Sequence, residues 1–254
     1  MIKLQRLNMD TSWWIKWDDT GFIVDPWLIG SEIDGGSWFN EQWHVTEPVA
    51  IQDIPAYDFI LITQSYNDHC HKETIEALQN KRLIKATTKA YHKTRKWNLA
   101  DEVQEIPNFS TYESETGELG YYSLHPGNRL DPVYYGVAIV NGDEAIVLAS
   151  HGFKLNNDQQ SWLSKFNVRL LITSFSEIQL PGFMGGKVNP GMDNVHELFS
   201  TLNPQHIINT HDEQKTAKGL VMKIAKTKYA DIDQLDQPLA SKFLRVEGYE
   251  KVTI

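Results

Sequence analysis

Asp58 to Leu78 read DFILITQSYNDHCHKETIEAL: an apolar run, a polar loop and a helical pattern in direct succession. Phe59-Ile60-Leu61-Ile62 is an uninterrupted apolar run bounded by polar residues, the pattern of a strand buried on both faces. Glu73-Thr74-Ile75-Glu76-Ala77-Leu78 combines helix formers with apolar residues at helical spacing. The loop between them carries Asp68, His69, Cys70 and His71. Open α/β sheets place ligand sites in loops at the carboxyl ends of strands. Oxygen and imidazole donors packed this closely suit a borderline metal such as zinc. The competing reading is an ordinary polar loop in which Asp68 caps the helix that follows.

The rest of the chain is compatible with a sheet built around that strand. Residues 2–28 read as three strands, with the aromatic run Ser12-Trp13-Trp14-Ile15-Lys16-Trp17 at their centre. Residues 82–88 and 102–106 add strands, with a short helix at 89–97 between them. Residues 110–124 read as a hairpin turning at 115–117 and delivering His125. Residues 133–149 form a second hairpin around Asn141-Gly142, the strongest short-range hairpin signal, and deliver Ser150-His151-Gly152. A helix at 158–166 and a buried strand at 168–173 follow. After them come the Gly- and Pro-rich segment 174–194, a helix at 195–202, and a strand at 206–210 ending in His211-Asp212. The lysines of 216–229 read as the solvated face of an exposed helix, and the tail as a closing hairpin around Glu247-Gly248. Residues 29–50 show no periodicity; Trp38, Phe39 and Trp43 either roof a pocket or pack as an Ω-loop.

The chain has 254 residues, 41% apolar and 22% charged, enough for one large domain with a real core. Its net charge of -9 argues against general binding to a phosphate backbone, so nucleic acid is set aside. One cysteine excludes an intrachain disulfide. No segment resembles a signal peptide, and none approaches the ~18 apolar residues of a membrane span. The expectation is a cytoplasmic protein acting on a small molecule without a membrane partner; no oligomeric state is assigned.

Residues 58–78 resemble the metal motif of metallo-β-lactamase-fold hydrolases: a strand ending in Thr or Ser, His-x-His-x-Asp-His, then a helix often containing Glu-Thr-Leu. Thr63, the pair Asp68-His69 and Glu73-Thr74-Ile75 match, while Gln64 and Tyr66 stand where the two leading histidines would be. Phe22-Ile23-Val24-Asp25-Pro26-Trp27 resembles the strand before that motif in the branch containing L-ascorbate-6-phosphate lactonase, with Asp25 a structural acceptor rather than a catalytic group. The resemblance runs through the whole order of elements. It implies an α+β, four-layer αββα sandwich over residues 1–254 as one domain.

It also implies a reduced site. His125 falls where a third histidine ligand is expected, and otherwise reads as a turn histidine. His151 takes the place at or next to an aspartate that bridges two metals, and His211 takes the last ligand position. An imidazole offers one nitrogen to one metal, so the replacement points away from a dinuclear centre. The resemblance therefore leaves Asp68, His69 and His211, with His151 added, as ligands for one divalent ion, zinc or else manganese. Three protein ligands with an open position lower the pKa of a zinc-bound water to about 7. Asp68 would orient the attacking water, His125 or His151 would move a proton, and His71 would serve as a further ligand or a base. Gln64, Tyr66, Trp38 and Trp43 would contact the substrate. Cys70 reads as packed beneath the loop. The expected activity is hydrolysis of a small ester, phosphoester, lactone or amide. The alternative is a metal-free small-ligand binding module on the same fold.

Overall fold

The computed structural model describes residues 1–112, 118–125, 135–182 and 186–254. It divides into two compact units. The first comprises Met1–Ile106, Glu213–Lys223 and Val246–Ile254; the second comprises Pro107–Asp212 and Ile224–Arg245.

The first unit opens with β1 (Ile2–Arg6), β2 (Trp13–Trp17) and β3 (Thr20–Val24), an antiparallel meander as the sequence implied. Residues 29–50 are not wholly irregular: they hold two short paired strands, β4 (Glu32–Asp34) and β5 (Asn40–Trp43). The motif strand is β6 (Phe59–Ile62), buried at all four positions and parallel to β3. Then follow α1 (Lys72–Ala77), β7 (Leu83–Ala86), α2 (Thr88–Arg95) and β8 (Glu102–Glu105), with β6, β7 and β8 parallel.

The second unit runs through β9 (Gly120–Leu124), β10 (Gly136–Asn141) and β11 (Glu144–Ala149), then α3 (Asn157–Leu163) and β12 (Asn167–Thr173). It continues with β13 (Glu177–Gln179), β14 (Lys187–Pro190), α4 (Met192–Leu202) and β15 (His206–Asn209). The Asn-Gly hairpin forms as expected, Asn141 pairing with Glu144 around Gly142 at φ 58°. Of the hairpin expected over 110–124 only β9 is seen among the described residues; it pairs with β10, and Asn108 bridges Ser123 in parallel. The turns expected at 115–117 and just after His125 lie outside the described residues.

The exposed helix expected over 216–229 is replaced by β16 (Thr216–Lys218), α5 (Val221–Ile224) and β17 (Lys226–Lys228). The reason is tertiary: β16 pairs with β5 and β17 with β13, and strand partners override a weak helical pattern. After α6 (Leu239–Lys242) the tail is no hairpin. Phe243 bridges Ile207 in the second unit, whereas β18 (Val252–Thr253) pairs with β1 in the first.

The large sheet of the first unit runs β18-β1-β2-β3-β6-β7-β8, and that of the second β15-β12-β11-β10-β9. Each unit buries its own apolar cluster. Leu7, Trp14, Ile23, Ile60, Ile62 and Ile75 belong to the first; Val147, Phe153, Trp162, Leu171, Phe199 and Ile207 belong to the second. This packing fixes the carboxyl ends of β6, β11, β12 and β15, where the loops bearing His69, His151, Ser174 and His211 begin. Among the described residues no helix is long and apolar enough to cross a membrane.

Candidate functional site

In the first unit the β6 loop is held from three sides. Asp25, buried and at a left-handed φ of 46°, accepts from the Thr63 amide at 2.7 Å and the Thr63 hydroxyl at 2.5 Å. Its Oδ2 also lies 2.8 Å from His69 Nδ1, so the turn acceptor read from the sequence also aligns a candidate ligand. Lys93 of α2 donates to Ser65 O at 2.6 Å and Asn67 Oδ1 at 2.7 Å. The amides of His69 and Cys70 both bond to Tyr66 O, folding the loop into a tight turn.

His69 is fully buried, with Nε2 3.6 Å from Asp68 Oδ2. Burial alone would lower its pKa, but the charges of Asp68 and Asp25, with the Asp25 hydrogen bond, push it up to about 9. Around Asp68 lies a charged group that sequence reasoning missed. Lys215, with an 11% exposed side chain, pairs with the fully buried Asp10 at 2.7 Å. Glu32 is 2% exposed, and burial, then the charges of Asp68 and Asp34, raise its carboxyl to about 9. Asp34 rises to about 6 through burial and then the charge of Asp68. Among the described residues Glu32 Oε2 and both polar atoms of the Gln64 carboxamide are buried with no hydrogen-bond partner.

The helix cap expected at Asp68 falls to His71 instead. His71 Nδ1 accepts from the Thr74 amide, its Nε2 lies 3.1 Å from Ser31 O, and burial lowers its pKa. Both ring nitrogens therefore have structural partners. Cys70 is packed beneath the loop, its thiol pushed up to about 12 by burial. Tyr66 is half-buried. Trp38 is 71% exposed, and Trp43 lies under Lys218 Nζ at 5.0 Å from its ring centre.

In the second unit His151 and His211 are both buried, with ring centroids 4.5 Å apart in an edge-to-face arrangement. His211 sits at φ 57°, left-handed backbone that a non-glycine residue adopts at a cost. His151 Nδ1 lies 2.6 Å from Asn189 Oδ1. His125 is half-buried; its Nε2 lies 3.1 Å from the Tyr135 hydroxyl, and its carbonyl accepts from Gln159 of the α3 capping box. Asp68 and His69 thus belong to the first unit, and His125, His151 and His211 to the second.

The donor chemistry fits a divalent ion. Metal-bound histidines characteristically donate their second ring N–H to a carboxylate or carbonyl oxygen. His69 has such a partner in Asp25 and His151 in Asn189.

No protein-family model and no curated protein matches the chain. Solved structures do. The isothiocyanate hydrolase from Delia radicum gut bacteria is 15% identical, with a TM-score of 0.69 over 99% of this chain and 98% of that one. A possible metal-dependent hydrolase from Veillonella parvula is 16% identical, with a TM-score of 0.72 over 99% of both chains. The metallo-β-lactamase fold protein YhfI from Bacillus subtilis is 11% identical, with a TM-score of 0.51 over 83% of this chain and 86% of that one. The chain has the metallo-β-lactamase fold. The resemblance read from 58–78 holds at the level of architecture.

Proposed function

We propose that this chain is a metal-dependent hydrolase with a reduced, mononuclear site. Its ligands would be Asp68, His69, His151 and His211. Each offers one donor atom suited to a divalent ion. The observation that carries the reading is the pair of oriented imidazoles. His69 and His151 are buried, and each has Nδ1 beside a side-chain oxygen, an arrangement that presents Nε2 to a ligand.

A divalent ion held there would polarise a carbonyl or phosphoryl oxygen and activate water. The protein's part is orientation. Asp25 aligns His69, Lys93 and the Tyr66 turn shape the loop that offers Asp68, and the Gln64 carboxamide supplies donors and an acceptor for a substrate to satisfy. His125, next to the Tyr135 hydroxyl, would handle a proton. The substrate class is a small ester, phosphoester, lactone or amide. The likeness of 22–27 to the lactonase branch makes lactones the first compounds to screen, and zinc or manganese are the metals to supply.

The test is elemental analysis of protein purified without chelator, for wild type, His69→Ala and His211→Ala. About one equivalent in the wild type, lost in both variants, is the expected result. No metal after zinc or manganese is supplied would overturn it in favour of a metal-free binding module, and two equivalents would overturn the mononuclear site.

A further inference from the structure

The geometry points to Asn189 as a positioning residue that sets the tautomer of His151, with Asp212 fixing the sense of the hydrogen-bond chain behind it. Asn189 lies within the Gly- and Pro-rich segment and Asp212 directly follows His211; the reading of the sequence gave neither any chemistry.

The chain can be followed proton by proton. Asp212 Oδ1 is 3.1 Å from the Ser176 amide, 2.7 Å from the Ser176 hydroxyl and 3.1 Å from the Ser174 hydroxyl; its Oδ2 accepts from Asn209 Nδ2 at 2.8 Å. A serine hydroxyl has one proton to give. Ser174 has two acceptors within reach, the Asp212 carboxylate at 3.1 Å and Ser176 O at 3.5 Å. The shorter bond to a carboxylate is the stronger. Ser174 Oγ is then left as an acceptor, and it receives the Ser176 amide at 3.2 Å and Asn189 Nδ2 at 3.1 Å.

This fixes which way round the Asn189 amide sits. Its NH2 end faces Ser174, so its carbonyl oxygen faces His151 Nδ1 at 2.6 Å. A carbonyl only accepts, so Nδ1 must carry the hydrogen, and in the neutral ring the lone pair is on Nε2. Asn189 is fully buried and Ser174 2% exposed, so water does not compete for these bonds. His151, Ser174, Asn189 and Asp212 come from four segments of the second unit: the ends of β11 and β12, β14, and the loop after β15.

The tautomer stands on this geometry alone; its use to present Nε2 to a metal rests on the function proposed above. The test keeps the two apart. Long-range proton–nitrogen NMR of the metal-free protein, labelled in histidine and held at alkaline pH, reports which ring nitrogen is protonated. Wild type and Asn189→Asp, which keeps an acceptor, should show His151 protonated at Nδ1. Asn189→Ala should lose that preference. Ser174→Ala, which leaves Asn189 in place but removes what orients its amide, should give a mixture, a result that a purely structural role for Asn189 does not produce. Should Asn189→Ala fail to fold, the serine variant decides. An Nε2–H tautomer in the wild type, or Nδ1–H undisturbed in folded Ser174→Ala, overturns the assignment. Zinc affinity is read separately: Asn189→Ala should weaken it by about 10- to 100-fold. A wild type that shows the Nδ1–H tautomer but takes up neither zinc nor manganese sinks the proposed function and leaves the positioning role intact.

Discussion

Asp25 accepts three hydrogen bonds with one carboxylate, two from Thr63 and one from His69, in a conformation that few non-glycine residues adopt. Its character as an acceptor was legible through the resemblance of residues 22–27 to a known strand and turn. The resemblance did not reveal that His69 is the third donor, 44 residues away. Asn189 was hidden for the same reason: one polar residue among glycines and prolines has no periodicity, and its histidine partner is 38 residues upstream. Glu32 lies in a segment without pattern, and its burial comes only from the tertiary fold. These buried groups predict how the metal-free protein responds to pH. His69 rises from 6.5 to about 9, so its stabilisation is complete below pH 6.5 and is lost as pH climbs through 9. Glu32 rises from 4.5 to about 9, so it too favours the fold when protonated and opposes it as pH rises. Thermal melts of chelator-treated protein should therefore fall steadily from about pH 5 to pH 9. Glu32→Gln, which cannot ionise, should flatten that fall and raise the alkaline melting temperature. Asp25→Asn should cost on the order of 3 kcal/mol near neutrality by breaking a buried pair. A flat profile in the wild type would show that neither group is held as described.

At the scale of elements, the legible parts were those with a strong local signal. The apolar runs of β6 and β12, the Asn-Gly hairpin and the amphipathic α4 formed as read. The larger failures were long-range pairings: β16 on β5, β17 on β13, and a tail whose two halves go to different sheets. Four charged lysines interleaved with aliphatic residues suit an exposed helix until a neighbouring strand edge offers hydrogen bonds. The loop between β11 and α3 shows how tightly such connections are fitted. Gly152 follows His151 directly, at φ 80°, and a Cβ there would meet Asn194 Oδ1 at 2.5 Å and Pro190 Cγ at 2.9 Å. That same Asn194 oxygen accepts from the Phe153 amide at 2.9 Å. Gly152→Ala should thus cost about 1–3 kcal/mol from backbone strain, and more if the Asn194 bond breaks. Urea unfolding measures the loss. Stability within a few tenths of a kcal/mol of wild type would show that this turn relaxes freely and does not fix His151.

Across the whole molecule, the order of elements was more legible than the chemistry. At 15% identity to the isothiocyanate hydrolase the chain keeps its architecture along nearly its full length. Order survives because many side chains can satisfy a buried strand or a helix face, whereas a metal site needs specific donors. The proposed ligand set makes a demand on the molecule as a whole, because its four residues lie on loops far apart along the chain. An ion that binds only the folded state stabilises it by about 2.7 kcal/mol when present at a hundred times its dissociation constant. If all four residues share the ion, that stabilisation must reach each of those loops. Hydrogen exchange of the metal-free protein with and without zinc should show added protection at 64–71, at 150–153 and at 210–212. His69→Ala and His211→Ala should each abolish the change in all three places. Protection confined to one loop would mean that its residues bind the ion alone, and the shared site would have to be abandoned even though a metal was bound.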